Sequence, residues 1–129
     1  MKIGSGPITS RQVLDEVPEI VRLLRASGIE DVIVYYGWGS RLEINQLWSP
    51  ININLDNLPA FVRDSVEKGV FSPGNSDLII EDKAGTLTFL LCHESDIHLM
   101  TENRNLIDET KRHWREKGYP GGNSVAESG

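Results

Sequence analysis

A second cysteine, an excess of positive charge and a long apolar run are all missing from this chain of 129 residues. Its one cysteine, Cys92, cannot form an internal disulfide, so nothing in it marks an oxidising compartment. Lys and Arg number 13 against 19 Asp and Glu, which gives a formal charge of -6 and a pI near 5.0. That balance argues against general nucleic-acid binding, which needs basic surface to displace counterions from phosphates. It favours solubility and leaves room for a basic protein partner. No window approaches the ~18 apolar residues that span a bilayer, so no membrane location is expected. The opening MKIGSGPITS lacks the apolar segment of a secretory signal, and the expectation is a cytoplasmic protein.

The familiar catalytic templates are missing too. No glycine-rich loop follows a strand and opens a helix with the Lys or Ser/Thr that a phosphate cradle needs; Gly4-Ser5-Gly6 and Gly37-Trp38-Gly39 are too short and wrongly placed. No serine sits in a nucleophile elbow. Glu81 and Asp82 are adjacent carboxylates, but neighbours in a strand point to opposite faces and cannot act as a facing pair. Cys92 lies beside acidic residues, whereas a reactive thiolate wants an electropositive setting; it is expected to pack as a small hydrophobe.

What is present is a globular balance, 39% hydrophobic and 25% charged. One domain of this length buries roughly two-thirds of its unfolded surface. The chain divides into a flexible arm over 1–8, a single α+β domain over 9–118 and a flexible tail over 119–129. Its organising stretch runs from Asp77 to Met100 and reads as a β-meander. Leu78 to Glu81, Thr86 to His93 and Ile97 to Met100 are the strands, with turns at Asp82-Lys83-Ala84-Gly85 and Glu94-Ser95-Asp96. Turns with loops of two or four residues set Leu78 opposite Phe89, Ile80 opposite Leu87, and His93 opposite His98. Alternation then assigns Leu78, Ile80, Leu87, Phe89, Leu91 and Met100 to one core face.

Before the meander, Thr9-Ser10-Arg11-Gln12 predicts a capping box, and Val13, Val17, Ile20, Val21 and Leu24 follow at helical spacing. Pro18 should kink that helix or start a second one. Its stripe is expected to pack on the sheet rather than form a partner-binding groove. Asp31 to Tyr36 and Arg41 to Trp48 read as a hairpin with its tip at Gly37-Trp38-Gly39-Ser40. Trp38 at that tip is either an interface anchor or a ring folded back over the sheet beside Tyr36; the second is expected, because lone exposed tryptophans are uncommon. Ile51, Ile53 and Leu55 alternate with polar residues in a short edge strand or an extended connection. Leu58, Phe61, Val62, Ser65 and Val66 form a short amphipathic helix that starts near Asn57-Leu58-Pro59 and ends at Gly69. A last helix, capped by Asn103 or Thr101 and ended by Gly118, turns Leu106, Ile107, Thr110 and Trp114 inward. Lys111, Arg112, Arg115 and Lys117 near its end suit the helix dipole, which explains them without nucleic acid.

One polar constellation stands out: Cys92, His93, Glu94, Asp96 and His98. Two imidazoles opposed across a hairpin, with Glu94 or Asp96 as ligand or base, could hold zinc and activate water. Cys92 points away from His93 in that register, which disfavours a mixed Cys-His site, and the spacing matches no familiar zinc motif. More often such histidines are a cross-strand pair with the carboxylates in turn hydrogen bonds.

The order α-β-β-α-β-β-β-α in a short acidic chain resembles that of small bacterial immunity-like proteins, a likeness of architecture and charge alone. The expected fold is α+β, a largely antiparallel sheet of four or five strands with three helices mainly on one face. The expected function is a protein-binding module without catalytic activity or cofactor, which the likeness extends to neutralising a basic partner. Trp38, Tyr35 and Glu43 are its candidate contacts. The alternatives are a small zinc-dependent hydrolase built on His93 and His98, and self-association through an exposed strand.

Overall fold

A computed structural model of the protein describes residues 1–123. In chain order it comprises β1 (Lys2–Gly4), α1 (Ser10–Asp15), α2 (Val17–Ala26), β2 (Asp31–Tyr36), β3 (Ile51–Asn54), α3 (Leu58–Glu67), β4 (Leu78–Asp82), β5 (Leu87–Cys92), β6 (Asp96–Thr101) and α4 (Arg104–Lys117). Short 3-10 turns occupy Leu55–Asn57 and Pro120–Asn123. The strands make one six-stranded antiparallel sheet in the order β1-β6-β5-β4-β2-β3. The fold is α+β, as expected, with one more strand than the upper expectation.

The helices start and stop where local chemistry directs. Thr9 caps α1 by accepting the Gln12 N–H at 3.1 Å, and the Gln12 side chain accepts the Thr9 N–H at 2.8 Å. The chain breaks at Glu16 and α2 begins at Val17, with Pro18 in its first turn where a missing N–H costs nothing. Asn103 caps α4 by accepting from the Leu106 N–H at 3.1 Å, and Gly118 ends it in the left-handed region at φ 78°. Along the strands burial alternates: Val32, Val34 and Tyr36 of β2 and Leu78 and Ile80 of β4 are buried, while Ile33, Tyr35 and Ile79 between them are only half-buried. The buried set joins the helix stripes Val13, Val17, Ile20 and Leu24, Leu58 and Val62, and Leu106, Ile107 and Trp114 in one core. Each such side chain stabilises the fold by about 1.5–3 kcal/mol through burial alone. The helices therefore cover one face of the sheet, and the α1–α2 stripe is core rather than groove.

Five expectations need correction. The expected strand Arg41 to Trp48 is irregular, and β2 pairs instead with Ile51–Asn54. Leu42, Ile44 and Leu47 break the two-residue alternation, whereas Ile51 and Ile53 keep it and turn inward. The β4–β5 register is slipped by two: Leu78 faces Leu91 and Ile80 faces Phe89. The cause is Asp82, whose carboxylate caps a four-residue turn by accepting from the N–H groups of Thr86 at 2.7 Å and Leu87 at 3.1 Å, and from the Thr86 hydroxyl. A slip of two keeps every side chain on its face, so the core assignments on these strands survive.

The β5–β6 turn is three residues long, His93-Glu94-Ser95, with Ser95 at φ 61° and Cys92 facing Asp96. An odd turn length flips the following strand. Ile97 and Leu99 are buried, Met100 is exposed, and His98 faces Leu90 rather than His93.

The arm expected over 1–8 is instead tied to the sheet. β1 pairs along β6, Ser5 bonds Ile97 through its N–H at 2.8 Å and its hydroxyl oxygen at 3.0 Å, and Ile3 and Ile8 are buried. The tail expected over 119–129 starts later: Tyr119 is buried and the Gly121 N–H donates to the Ser5 carbonyl at 2.7 Å. A Cβ on Gly121 would lie 1.7 Å from the Gly4 carbonyl oxygen, so only glycine allows that approach. The rest of that tail, 124–129, lies outside the described residues. No helix among the described residues is long and apolar enough to cross a membrane.

Candidate functional site

Beyond Tyr36 the chain leaves the sheet in the loop 37–50, which is pinned at several points. The Gly37 N–H donates to the Asp77 carbonyl at 3.0 Å and the Asp77 N–H to the Trp38 carbonyl at 2.8 Å, continuing the β2–β4 ladder by one step. The Arg41 N–H bonds the Val70 carbonyl at 3.1 Å, and the Trp48 N–H returns to the Tyr36 carbonyl at 3.0 Å. Trp48 takes up φ 63°, which a bulky L-residue adopts only when its surroundings demand it. Its ring lies over Gly37, where an added Cβ would come within 2.9 Å of the indole. Gly39, at φ 80°, would meet the Asn75 carbonyl at 2.6 Å, so this part of the loop tolerates glycine alone.

Such anchoring does not bury the side chains. Trp38 is 61% exposed, Ile44 88% and Trp48 55%. The expectation that Trp38 folds over the sheet beside Tyr36 is therefore overturned. Tyr36 faces the helices, bonding Ser65 and packing on Phe61 with ring centroids 5.7 Å apart. Trp38 instead rests on the imidazole of His93, with ring centroids 4.6 Å apart. Of the other candidate contacts, Glu43 is exposed on the same loop and Tyr35 is half-buried on the uncovered sheet face. Ile44 and Trp48 were read as strand residues, and their role in the exposed set was missed. The broken alternation of 41–48 was the available signal.

The ring that supports Trp38 belongs to the polar constellation. His93, in the turn, donates its backbone N–H to Asp77 Oδ1 at 2.7 Å and holds the same oxygen through Nδ1 at 2.8 Å. His98, on β6, bonds Asp96 through Nε2 at 2.7 Å. The two imidazoles expected to face each other are thus committed to different carboxylates. Glu94 sits at the turn, well exposed and 3.9 Å from His93 Nε2. Cys92 lies within reach of both halves: Asp77, Cys92 and His93 form one cluster of candidate metal ligands, and Cys92, Asp96 and His98 another. The thiol was expected to point away from His93, but the odd turn places it 3.9 Å from His93 Nδ1. Asp77 was absent from the sequence-based set because it lies just before β4, distant in sequence from the β5–β6 turn.

This arrangement cannot run a thiol-histidine-carboxylate relay. Such a relay bridges nucleophile and carboxylate with the two different ring nitrogens, whereas Cys92 and Asp77 both address Nδ1 of His93. Burial, and then the charge of Asp96, push the Cys92 thiol up to about 11, which keeps it protonated near neutrality. What the cluster offers is lone pairs on sulfur, nitrogen and oxygen.

A third polar cluster, which the sequence reading passed over, lies inside the protein. Glu16, at the joint of α1 and α2, accepts from His113 Nε2 on α4 with both oxygens at 2.9 Å and from the Tyr119 hydroxyl at 3.3 Å. All three residues are buried. Burial first, then the Glu16 charge, push the Tyr119 phenol up to about 12. His113 follows Leu106 and Thr110 at helical spacing on the inner stripe of α4, and that spacing was the signal available.

No protein-family model, curated protein or solved structure matches the chain.

Proposed function

We propose that the protein is a non-enzymatic protein-binding module, immunity-like in its logic, whose loop 37–50 docks a basic partner in the cytoplasm. The observation that carries this reading is the concentration of exposed apolar bulk. Trp38, Ile44 and Trp48 all come from one loop, and among the described residues only Met100 is a large exposed hydrophobic elsewhere. Single exposed apolar groups are ordinary, but several grouped together with two tryptophans among them are typical of a contact surface. The backbone bonds that pin the loop lower the ordering cost of binding. The net charge of -6 provides the field that steers a basic partner, while on the loop itself Glu43 is balanced by the exposed Arg41. Tyr35, Ile33, Ile79 and Leu90, half-buried on the uncovered sheet face, extend the apolar surface beyond the loop.

Quantitative capture with the immobilised full chain tests the reading, comparing wild type with Trp38→Ala/Glu43→Lys at low and high salt. A basic protein retained by wild type and weakened at least about tenfold by the double variant is the expected result, given the hot-spot scale for tryptophan. An unchanged set of captured proteins overturns it. A wild type that sediments as a dimer and a variant that sediments as a monomer would replace it with self-association.

A further inference from the structure

The β5–β6 hairpin carries chemistry that a docking loop does not use. Cys92 and Asp96 are paired directly across it, and His98 follows two residues along β6 on the same face. Ligand atoms of these three side chains lie within 4.8 Å of one another, as do those of Asp77, Cys92 and His93. The two sets differ in what they lack. In the Asp77 set, carboxylate and imidazole satisfy each other and the carboxylate also takes a backbone N–H. In the Asp96 set, His98 Nε2 bonds one carboxylate oxygen, and both Asp96 Oδ1 and His98 Nδ1 are buried without any hydrogen-bond partner.

Buried polar atoms are rarely left unpaired, and two on adjoining side chains need a physical account. With His98 Nε2–H donating to one carboxylate oxygen, Nδ1 points away from Asp96 on the far side of the ring. On the near side Asp96 Oδ1 has no donor, and beside the carboxylate lies a thiol only 6% exposed. A cation in place of the Nε2 proton would draw on nitrogen, oxygen and sulfur together, with the imidazole proton moved to Nδ1.

We propose that Cys92, Asp96 and His98 bind a divalent cation of borderline softness, of the zinc class. A thiolate with an imidazole and a carboxylate suits such ions, whereas magnesium and calcium take oxygen sets. Binding releases the thiol proton to solvent as the metal–sulfur bond forms. Three protein ligands leave a fourth position to water or to a group from outside the chain. His93 is adjacent in sequence to Cys92 and carries Trp38, so an ion here steadies the turn on which that ring rests. The site stands whether or not loop 37–50 docks a partner.

Chelator-stripped full-length protein without a histidine tag, titrated with zinc and with cobalt(II), tests it. The expected result is one equivalent of metal and a thiolate-to-cobalt charge-transfer band in the near ultraviolet. Cys92→Ser should abolish the band. His98→Ala should weaken zinc by at least about tenfold, since even outer-shell changes at zinc sites cost that much. His93→Ala should leave zinc affinity unchanged, because its ring is committed to Asp77. The wild-type cobalt spectrum needs no variant, so a misfolded variant cannot protect the idea. Cobalt bound without a thiolate band, no stoichiometric metal, or equal zinc affinity in wild type and Cys92→Ser overturns it. Loss on His93→Ala with retention in His98→Ala overturns it in favour of the Asp77 set.

Discussion

His113 and His98 are both imidazoles held against a carboxylate, yet they lie at opposite extremes of satisfaction. His113 uses Nε2 on Glu16, has Glu19 3.7 Å from Nδ1, and shares its acceptor with the Tyr119 hydroxyl. Every partner comes from this chain, and two segments far apart in sequence, the α1–α2 joint and the end of α4, are tied by one buried carboxylate. His98 makes one bond to a neighbour two residues away, and its second nitrogen is buried with nothing to hold. Identical residue types thus serve different ends. A closed network specifies the packing of helices, whereas an incomplete one near a surface turn is where something from outside can be held.

The sharpest way to break this comparison is Glu16→Ala, which strands His113 and the Tyr119 hydroxyl in the interior. It is expected to cost about 3–5 kcal/mol of unfolding free energy in urea titrations, the scale for leaving two buried donors without their shared acceptor, and to leave zinc uptake unchanged in whatever fraction folds. A loss below about 1 kcal/mol would show that the closed cluster is not structural.

Asp82 offers an intermediate case, buried like Glu16 but satisfied wholly by its own turn. Burial opposes its charge, yet the bonds from the Thr86 hydroxyl and from the backbone N–H groups of Leu87 and Thr86 outweigh it, and the carboxyl lies below its ordinary range. A lowered folded-state pKa contributes stability that is complete above the unfolded value and is lost as pH falls through the folded one. Asp82→Asn should therefore cost about 1–3 kcal/mol at neutral pH and progressively less in acid, so that the stability curves of variant and wild type converge there. A constant offset down to the lowest pH would sink that account.

The smallest effect is expected at the satisfied but partly exposed pair of Asp77 and His93. Asp77→Ala removes the acceptor of two His93 bonds, but His93 is partly exposed and water can replace them. About 1 kcal/mol or less is expected at equilibrium, with a shift in Trp38 fluorescence as its imidazole support is freed. Unchanged tryptophan emission would argue against the contact between the two rings.

Much of the fold was legible because its signals are local. The Thr9-Gln12 box, the helix terminus at Gly118, the break before Pro18 and the inward stripes of α3 and α4 all depend on residues within a few positions. The face assignments of Leu78, Ile80, Leu87, Phe89 and Leu91 were legible for the same reason. What escaped depends on counting or on distance. One residue in the Cys92–Asp96 turn decides which side of the sheet receives Leu99, Met100 and His98, and apolar residues at consecutive positions of β6 leave parity undecided in the sequence. Lys2–Gly4 is too short to show a period, and becomes a strand only because β6 offers an edge. The candidate site was half legible: its residues were named, but Asp77 and the Trp38–His93 contact arise from tertiary pairing of β2, β4 and β5.

The positions of β1 and Gly121 bear on the order of assembly. The β4–β5–β6 meander closes through turns of four and three residues and can zip as soon as it exists. β1 must wait for β6, and its last backbone tether to Ser5 comes from Gly121. Loop-closure entropy on that scale is incurred before the contact stabilises anything, so this edge should be the late step of folding. During synthesis the outer edge of β6 therefore stays unpaired until β1 finds it, exposing a row of strand hydrogen-bonding groups to other chains. A chain ending at Tyr119 would keep that buried side chain yet lack the tether from Gly121, and its aggregation in a cell would come from that interval rather than from any weakness of the finished core.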